Sequence, residues 1–107
     1  MELREKKCEP CQGNEEPLNE EQINELHDKI ESDWMVIEGR MIRKKYLFED
    51  FKRGMAFVQE AAKLAEEQQH HPDICIHYDN VVVDLTTHAI GGLSENDFIM
   101  AAKIDNL

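Results

Sequence analysis

The chain lacks any apolar run approaching the ~20 residues a membrane-spanning helix needs, which excludes that class. Its first ten residues, MELREKKCEP, lack the apolar core of a secretory signal. Cysteines number three, and an odd count argues against a secreted disulfide framework. Together these lead us to expect a cytoplasmic protein. Positive charge is also short: 12 Lys and Arg stand against 23 Asp and Glu, a net charge of −11. A nucleic-acid binder carries the opposite balance, so nucleic acid is not an expected partner. The acidity favours solubility without naming a partner. Three catalytic signatures are absent too: a nucleophile elbow, a phosphate-binding glycine loop and a dinucleotide fingerprint.

What is present is enough for one domain. A chain of 107 residues allows one core, burying roughly two-thirds of the surface it exposes when unfolded. Residues 1–17 are polar and aperiodic and read as a flexible arm, leaving 18–107 as the domain. Within the arm, Cys8-Glu-Pro-Cys11 has the spacing of half a zinc knuckle or a redox pair. With no obvious further ligands in Cys75 or His27, it reads more simply as exposed thiols.

Asn19 with Gln22 approximates a capping box and opens a first helix carrying Ile23, Leu26 and Ile30. Trp34 to Ile37 and residues 41–48 then make a hairpin about Glu38-Gly39, with Ile42, Tyr46 and Phe48 on one face and Arg43 and Lys45 on the other. A long helix is predicted from about Asp50 to Gln69, following Phe51, Met55, Val58, Ala62 and Ala65, with Phe57, Ala61 and Leu64 widening its apolar surface. Pro72 stops it, because the residue before proline avoids helical geometry. Alternation then marks strands at 74–78 and 81–85, with Asp79-Asn80 as a two-residue turn. Ser94 caps the last helix, with Asp97 completing its capping box.

Four of the five histidines fall between Glu66 and His88. A two-residue turn at Asp79-Asn80 pairs Cys75 with Asp84 and, carried outward, His71 with His88, β-carbons ~5 Å apart. Glu66 lies four residues before His70, on the same helix face if the last turn is regular. Asp97 could reach back from the final helix, beside its capping role, while His77 falls on the outer strand face. Histidines titrating near neutral pH beside carboxylates suit a reaction that removes a proton at one atom and donates one at another. Zinc held by Glu66, His70 or His71, and His88 is the alternative, without the usual helical two-histidine spacing.

These residues resemble the signature of the pterin-4a-carbinolamine dehydratases: Glu66, His70, His71, Pro72, Tyr78, His88 and Asp97, with THAIGGLSENDFIMAAKID resembling the family's carboxyl-terminal end. The likeness covers about 18–107. It implies an α+β fold, a four-stranded antiparallel sheet with three helices on one face, in the order α-β-β-α-β-β-α that the periodicities also give. It implies dehydration of 4a-hydroxytetrahydropterin to quinonoid dihydropterin, without metal or organic cofactor, in recycling of the tetrahydrobiopterin cofactor for phenylalanine hydroxylation. By resemblance, His70 and His88 would transfer protons and His71 would hold the pterin. Glu66 would meet the pterin edge or orient His70, Asp97 would orient His88, and Thr86 and Thr87 would line the pocket. The family also implies a homodimer or homotetramer, the latter through the long helices. Some animal relatives are dimerisation cofactors of a transcription factor, which sets a non-catalytic interaction module beside the enzyme.

Overall fold

Asn19 caps the first helix, α1 (Glu20–His27), by the reciprocal bonds its sequence predicts. Its side chain accepts from Gln22 N at 2.9 Å, and Gln22 Oε1 accepts from Asn19 N at 2.9 Å. At the other end His27 Nε2 meets the Trp34 carbonyl at 2.6 Å, so this histidine ties the helix to the next segment. The computed structural model describes residues 1–10 and 13–107. Cys11, the second half of the Cys-x-x-Cys pair, lies outside the described residues.

The chain continues through β1 (Met35–Ile37), β2 (Met41–Leu47), α2 (Phe51–Gln68), β3 (Asp73–Ile76), β4 (Asn80–Leu85) and α3 (Glu95–Asp105). The element order is the predicted α-β-β-α-β-β-α, and the strands form one antiparallel sheet in the order β1-β2-β4-β3. Ile42 on β2 and Val81, Val83 and Leu85 on β4 are fully buried, so the helices cover one face of the two central strands. Each such side chain contributes roughly 1.5–3 kcal/mol by leaving water. Gly54, Ala61 and Ala65 bury the inner side of α2. A β-carbon on Gly54 would lie 3.5 Å from the Phe48 ring and 3.7 Å from Val81, so small residues set how closely this helix seats. Phe51, at the start of α2, is instead 47% exposed, and Ala62 is exposed, leaving that flank uncovered in the monomer.

On the opposite sheet face Arg43 forms a forked pair with Asp84, Nε to Oδ1 at 2.7 Å and Nη2 to Oδ2 at 3.0 Å. That pairing holds the guanidinium above its ordinary pKa, the hydrogen bond contributing most. Lys45 on the same face is exposed, as its alternation predicts.

The β3–β4 register differs from the one read in the sequence. Ile76 pairs with Val81, Cys75 with Val82 and Asp73 with Asp84, a displacement of two residues from the expected Cys75–Asp84 pair. The turn sits at Tyr78-Asp79, closed by His77 N donating to Asn80 O at 2.8 Å. Neither Asp79 nor Asn80 takes a positive φ, so the turn chemistry behind the prediction is not used. Pairing with the neighbouring strand wins: Phe48 N donates to Asp79 O at 2.8 Å, and Asn80 pairs with Leu47, drawing Asn80 into the sheet. Because the shift is even, Val81, Val83 and Leu85 keep the core face.

The residues read as a flexible arm are docked at their start. A short 3₁₀ turn at Leu3–Glu5 packs on α3, and Leu3 is 6% exposed within the core cluster. Lys6 pairs with Glu95 at 2.8 Å, and Lys103 Nζ donates to the Arg4 carbonyl at 2.9 Å.

Lys44 alternates inward with Ile42 and Tyr46, and a carboxylate from the last helix meets it. Asp105 accepts from Lys44 Nζ at 2.7 Å, Tyr46 Oη at 2.6 Å and Trp34 Nε1 at 2.8 Å. Burial, then the bond to Asp105, raises the Tyr46 pKa, so the phenol remains a donor. Lys44 and Asp105 side chains are only 11% and 13% exposed, so removing this carboxylate leaves a nearly buried ammonium with only exposed Asp33, at 3.7 Å, as its acidic partner. Asp105→Ala should cost roughly 3 kcal/mol by urea unfolding, and Asp105→Asn distinctly less. A loss under 1 kcal/mol for Asp105→Ala would show that the network does not fasten α3 to β2.

Candidate active site

Pro72 bars helical geometry at His71, and the chain leaves α2 through Gln69, whose φ of 53° and ψ of 40° are left-handed. The freed carbonyls are still satisfied: Gln69 N and His70 N both donate to Ala65 O, and Gln69 Nε2 donates to Glu66 O at 2.7 Å. This reversal swings His70 back towards α3. There His70 Nε2 meets Asp97 Oδ1 at 2.6 Å.

Asp97 is fully buried and engaged on both oxygens. Its Oδ2 accepts from Ser94 N at 3.0 Å, completing the predicted capping box, and from Thr87 Oγ1 at 2.8 Å. Thr87 Oγ1 also lies 2.7 Å from Ser94 Oγ. A carboxylate only accepts hydrogen bonds, so His70 Nε2 carries the hydrogen, and in the neutral ring Nδ1 is then the acceptor.

His88 follows directly on Thr87 and opens a 3₁₀ turn, His88–Ile90, that ends at Gly91 with φ 69°. Thr87 N to Gly92 O at 2.9 Å, and Gly92 N to Thr87 O at 3.4 Å, close this loop. The His88 side chain is exposed and makes no hydrogen bond among the described residues. His71 Nε2 meets Glu66 Oε2 at 2.5 Å, both well exposed, a pair that screening makes weak.

His70, His71 and His88 border one cleft of about 270 Å³, with Thr86 and Thr87 on its floor. The three expected histidines therefore meet, but by a different route from the one read in the sequence. The register of β3 and β4 does not set His71 opposite His88. Glu66 holds His71 rather than His70, because the left-handed Gln69 breaks the helical stacking on which that pairing depended. Asp97 holds His70 rather than His88, and with no exposed surface it positions that ring without meeting a ligand. Thr87 spends its hydroxyl on Asp97, and Thr86 Oγ1 donates to Arg40 O at 2.6 Å, so both hydroxyls already serve the framework. The zinc alternative is not assembled: among the described residues no three His, Cys, Asp or Glu side chains are grouped to hold a metal ion. His77 faces out beside Cys75, Nε2 to Sγ at 3.5 Å, away from the cleft.

The sequence reading missed Asn96 and the amino-terminal segment, which also border the cleft. Nothing in a polar, aperiodic stretch signals a docking site, and Asn96 sits unremarked beside its acidic neighbour.

Comparison with known proteins decides the family. The sequence model described as "Pterin 4 alpha carbinolamine dehydratase" matches residues 16–107. The chain belongs to the pterin-4-alpha-carbinolamine dehydratase family. A Rickettsia bellii member, named "Putative pterin-4-alpha-carbinolamine dehydratase", is 44% identical over 98% of this chain and 93% of its own length. A Nitrosospira multiformis protein of the same name is 47% identical over 98% of this chain and 91% of its own. The crystal structure of a transcriptional coactivator/pterin dehydratase from Brucella melitensis superposes with a TM-score of 0.78 at 34% identity, covering 84% of this chain and 96% of that one. A pterin dehydratase-like RuBisCO assembly factor of the alpha-carboxysome gives 0.59 at 25% identity, covering 69% and 87%. The family thus includes dehydratases and proteins titled for other work. No helix among the described residues is long and apolar enough to cross a membrane.

Cys8, in the segment ahead of the family match, touches this site from behind. Its Sγ lies 3.7 Å from the Asn96 carbonyl. Burial pushes its thiol up to about 11, Asp97 and Glu9 adding to the rise and Lys103 opposing it. Iodoacetamide at pH 7.5 should therefore label exposed Cys75 well before Cys8, with Cys8 reacting once the protein is unfolded. A thiol whose folded pKa is raised contributes stability that is complete below about 9, its ordinary value, and is lost as pH rises towards about 11. The stability advantage of wild type over Cys8→Ser should shrink across that window. Equal labelling of both thiols in the native protein would show that Cys8 is not packed as described.

Proposed function

We propose that this protein dehydrates 4a-hydroxytetrahydropterin, with His70 as general base and His88 as general acid. The observation carrying this reading is the Asp97–His70 pair at the edge of a cleft that His88 also borders. His70, fixed by Asp97 through Nε2, offers Nδ1 as acceptor for the proton on N5. As that proton leaves, the N–H electrons form the C4a=N5 bond and the C4a–O bond breaks. His88, protonated, gives its proton to the departing hydroxyl, which leaves as water. The product is quinonoid dihydropterin; His70 has gained one proton and His88 has lost one, so proton exchange with solvent restores both groups. The exposed, unpaired His88 suits that exchange. His71, steadied by Glu66, flanks the ring.

The chemistry draws on the chain's own imidazoles, and it fits recycling of the tetrahydropterin cofactor of a phenylalanine hydroxylase in the cytoplasm. The uncovered flank of α2 around Phe51 supports a homodimer or homotetramer. The coactivator and assembly-factor titles of the two structural relatives favour a second reading, a non-catalytic interaction module.

Decay of a freshly generated 4a-carbinolamine, followed spectroscopically, tests the proposal. Wild type should accelerate it with or without chelator, and His70→Ala should lose roughly a hundredfold or more in kcat. Asp97→Asn, which keeps the shape but weakens the hold on His70, should lower kcat more than it raises KM. Absence of acceleration by wild type would favour the interaction module, and loss on chelation would restore the metal alternative.

A further inference from the structure

One side of the cleft belongs to the segment that composition assigned to a flexible arm. Glu9 and Pro10 line it opposite the histidines' loops. Their place is fixed by a two-point amide pairing: Glu9 N donates to Asn96 Oδ1 at 2.9 Å, and Asn96 Nδ2 donates to Glu9 O at 2.7 Å. Cys8 N adds a bond to Gln68 Oε1 at 2.9 Å. A side-chain amide that spends a donor and an acceptor on one residue's backbone fixes both its position and its direction. Asn96 is 9% exposed and adjoins Asp97, while Gln68 closes α2 just before His70. The parts that aim His70 are therefore the parts that seat Glu9. Further along, a β-carbon on Gly13 would lie 3.6 Å from the Ala89 carbonyl, so the segment also touches the loop carrying His88.

The Glu9 side chain itself is exposed and has no hydrogen bond or ion pair among the described residues. Other carboxylates near the histidines are committed: Glu66 to His71, and Asp97, fully buried, to His70. Glu9 carries the one carboxylate among the described residues lining the cleft. A pterin presents, along its amino-pyrimidinone edge, two parallel N–H donors, the 2-amino group and N3. A carboxylate matches them with two parallel acceptors, the geometry that makes forked pairs specific. The family match begins at residue 16, yet the Rickettsia bellii and Nitrosospira multiformis relatives match over 98% of the chain, so their likeness runs through the arm.

We propose that Glu9 is the specificity-determining residue for the pterin edge, with Glu9-Pro10 forming a wall of the pocket. This rests on the dehydratase reading for the ligand's identity and adds a binding residue to it. The carboxylate accepts the 2-amino and N3 hydrogens, holding C4a and N5 towards His70 and His88.

Calorimetric titration with 7,8-dihydrobiopterin, alongside steady-state dehydration, tests it in the full-length protein. Glu9→Gln and Glu9→Ala should each weaken Kd and raise KM about tenfold, with kcat within about twofold of wild type. The preference for dihydrobiopterin over a dihydrolumazine, which carries oxygen in place of the 2-amino group, should fall in both variants. Since Glu9 is exposed, thermal unfolding of the variants should match wild type. Normal turnover with unchanged Kd, KM and preference in both Glu9 variants overturns the proposal and leaves the dehydratase reading standing. Glu9-dependent binding without turnover by wild type supports the proposal and removes the dehydratase reading. Failure of wild type to bind the pterin removes both.

Discussion

Burying a carboxylate is costly unless its oxygens find donors, and Asp97 finds them on three different segments. His70 comes from the turn after α2, Thr87 from the end of β4, and Ser94 N from the cap of α3. Thr87 and Ser94 lie within 10 residues of Asp97 in the chain, whereas His70 lies 27 away. A single desolvated charge thus requires the helix end, the strand end and the helix start to meet in one arrangement, and each member loses a partner if another is displaced. The site is tied where it touches Asp97 and free where it does not: His70 Nε2 is held by the carboxylate, while His88, one residue past Thr87, has no such partner among the described residues. The proposed division between an oriented base and a proton-exchanging acid rests on that asymmetry.

A second, nearly buried carboxylate does parallel work at the other end of α3. Asp105 draws Trp34, Lys44 and Tyr46 to the end of the helix, as Asp97 draws its partners to the beginning. The helix between them contributes Phe98, Met100, Ala101 and Ile104 to the core, all essentially inaccessible to water. With both ends tied by acceptor groups and its middle packed, α3 is a fixed reference against which the loops of the cleft are placed. The acidic balance of the chain is not wholly a solvated skin. Two of its carboxylates work inside.

The element order, the capping boxes at Asn19 and Ser94, the stop at Pro72 and the alternation of β4 were all legible in the sequence, because each is decided by neighbours within a few residues. The convergence of His70, His71 and His88 was legible too, although the pairings among them were not. The register failed because an interstrand bond from Phe48 to Asp79 overrode local turn preference. The partner of each histidine failed because a left-handed residue at position 69 rotates everything after it, and glutamine gives no hint of that geometry. Lys44 illustrates the same limit: period-two alternation places it inward, but its nearest acidic partner, Asp105, is distant in sequence.

Leu3 sits in the core, although the family's sequence match begins at residue 16. The boundary that defines the family is therefore not a boundary of the folded object. A shortened form trimmed to that limit would bare a strip of α3 that Leu3 now shields, and would take the backbone partner of Asn96 with it. An apolar strip of that kind, newly wetted, invites self-association. Poor behaviour of such a fragment would reflect where it was cut, not a defect of the sheet and helices it retains.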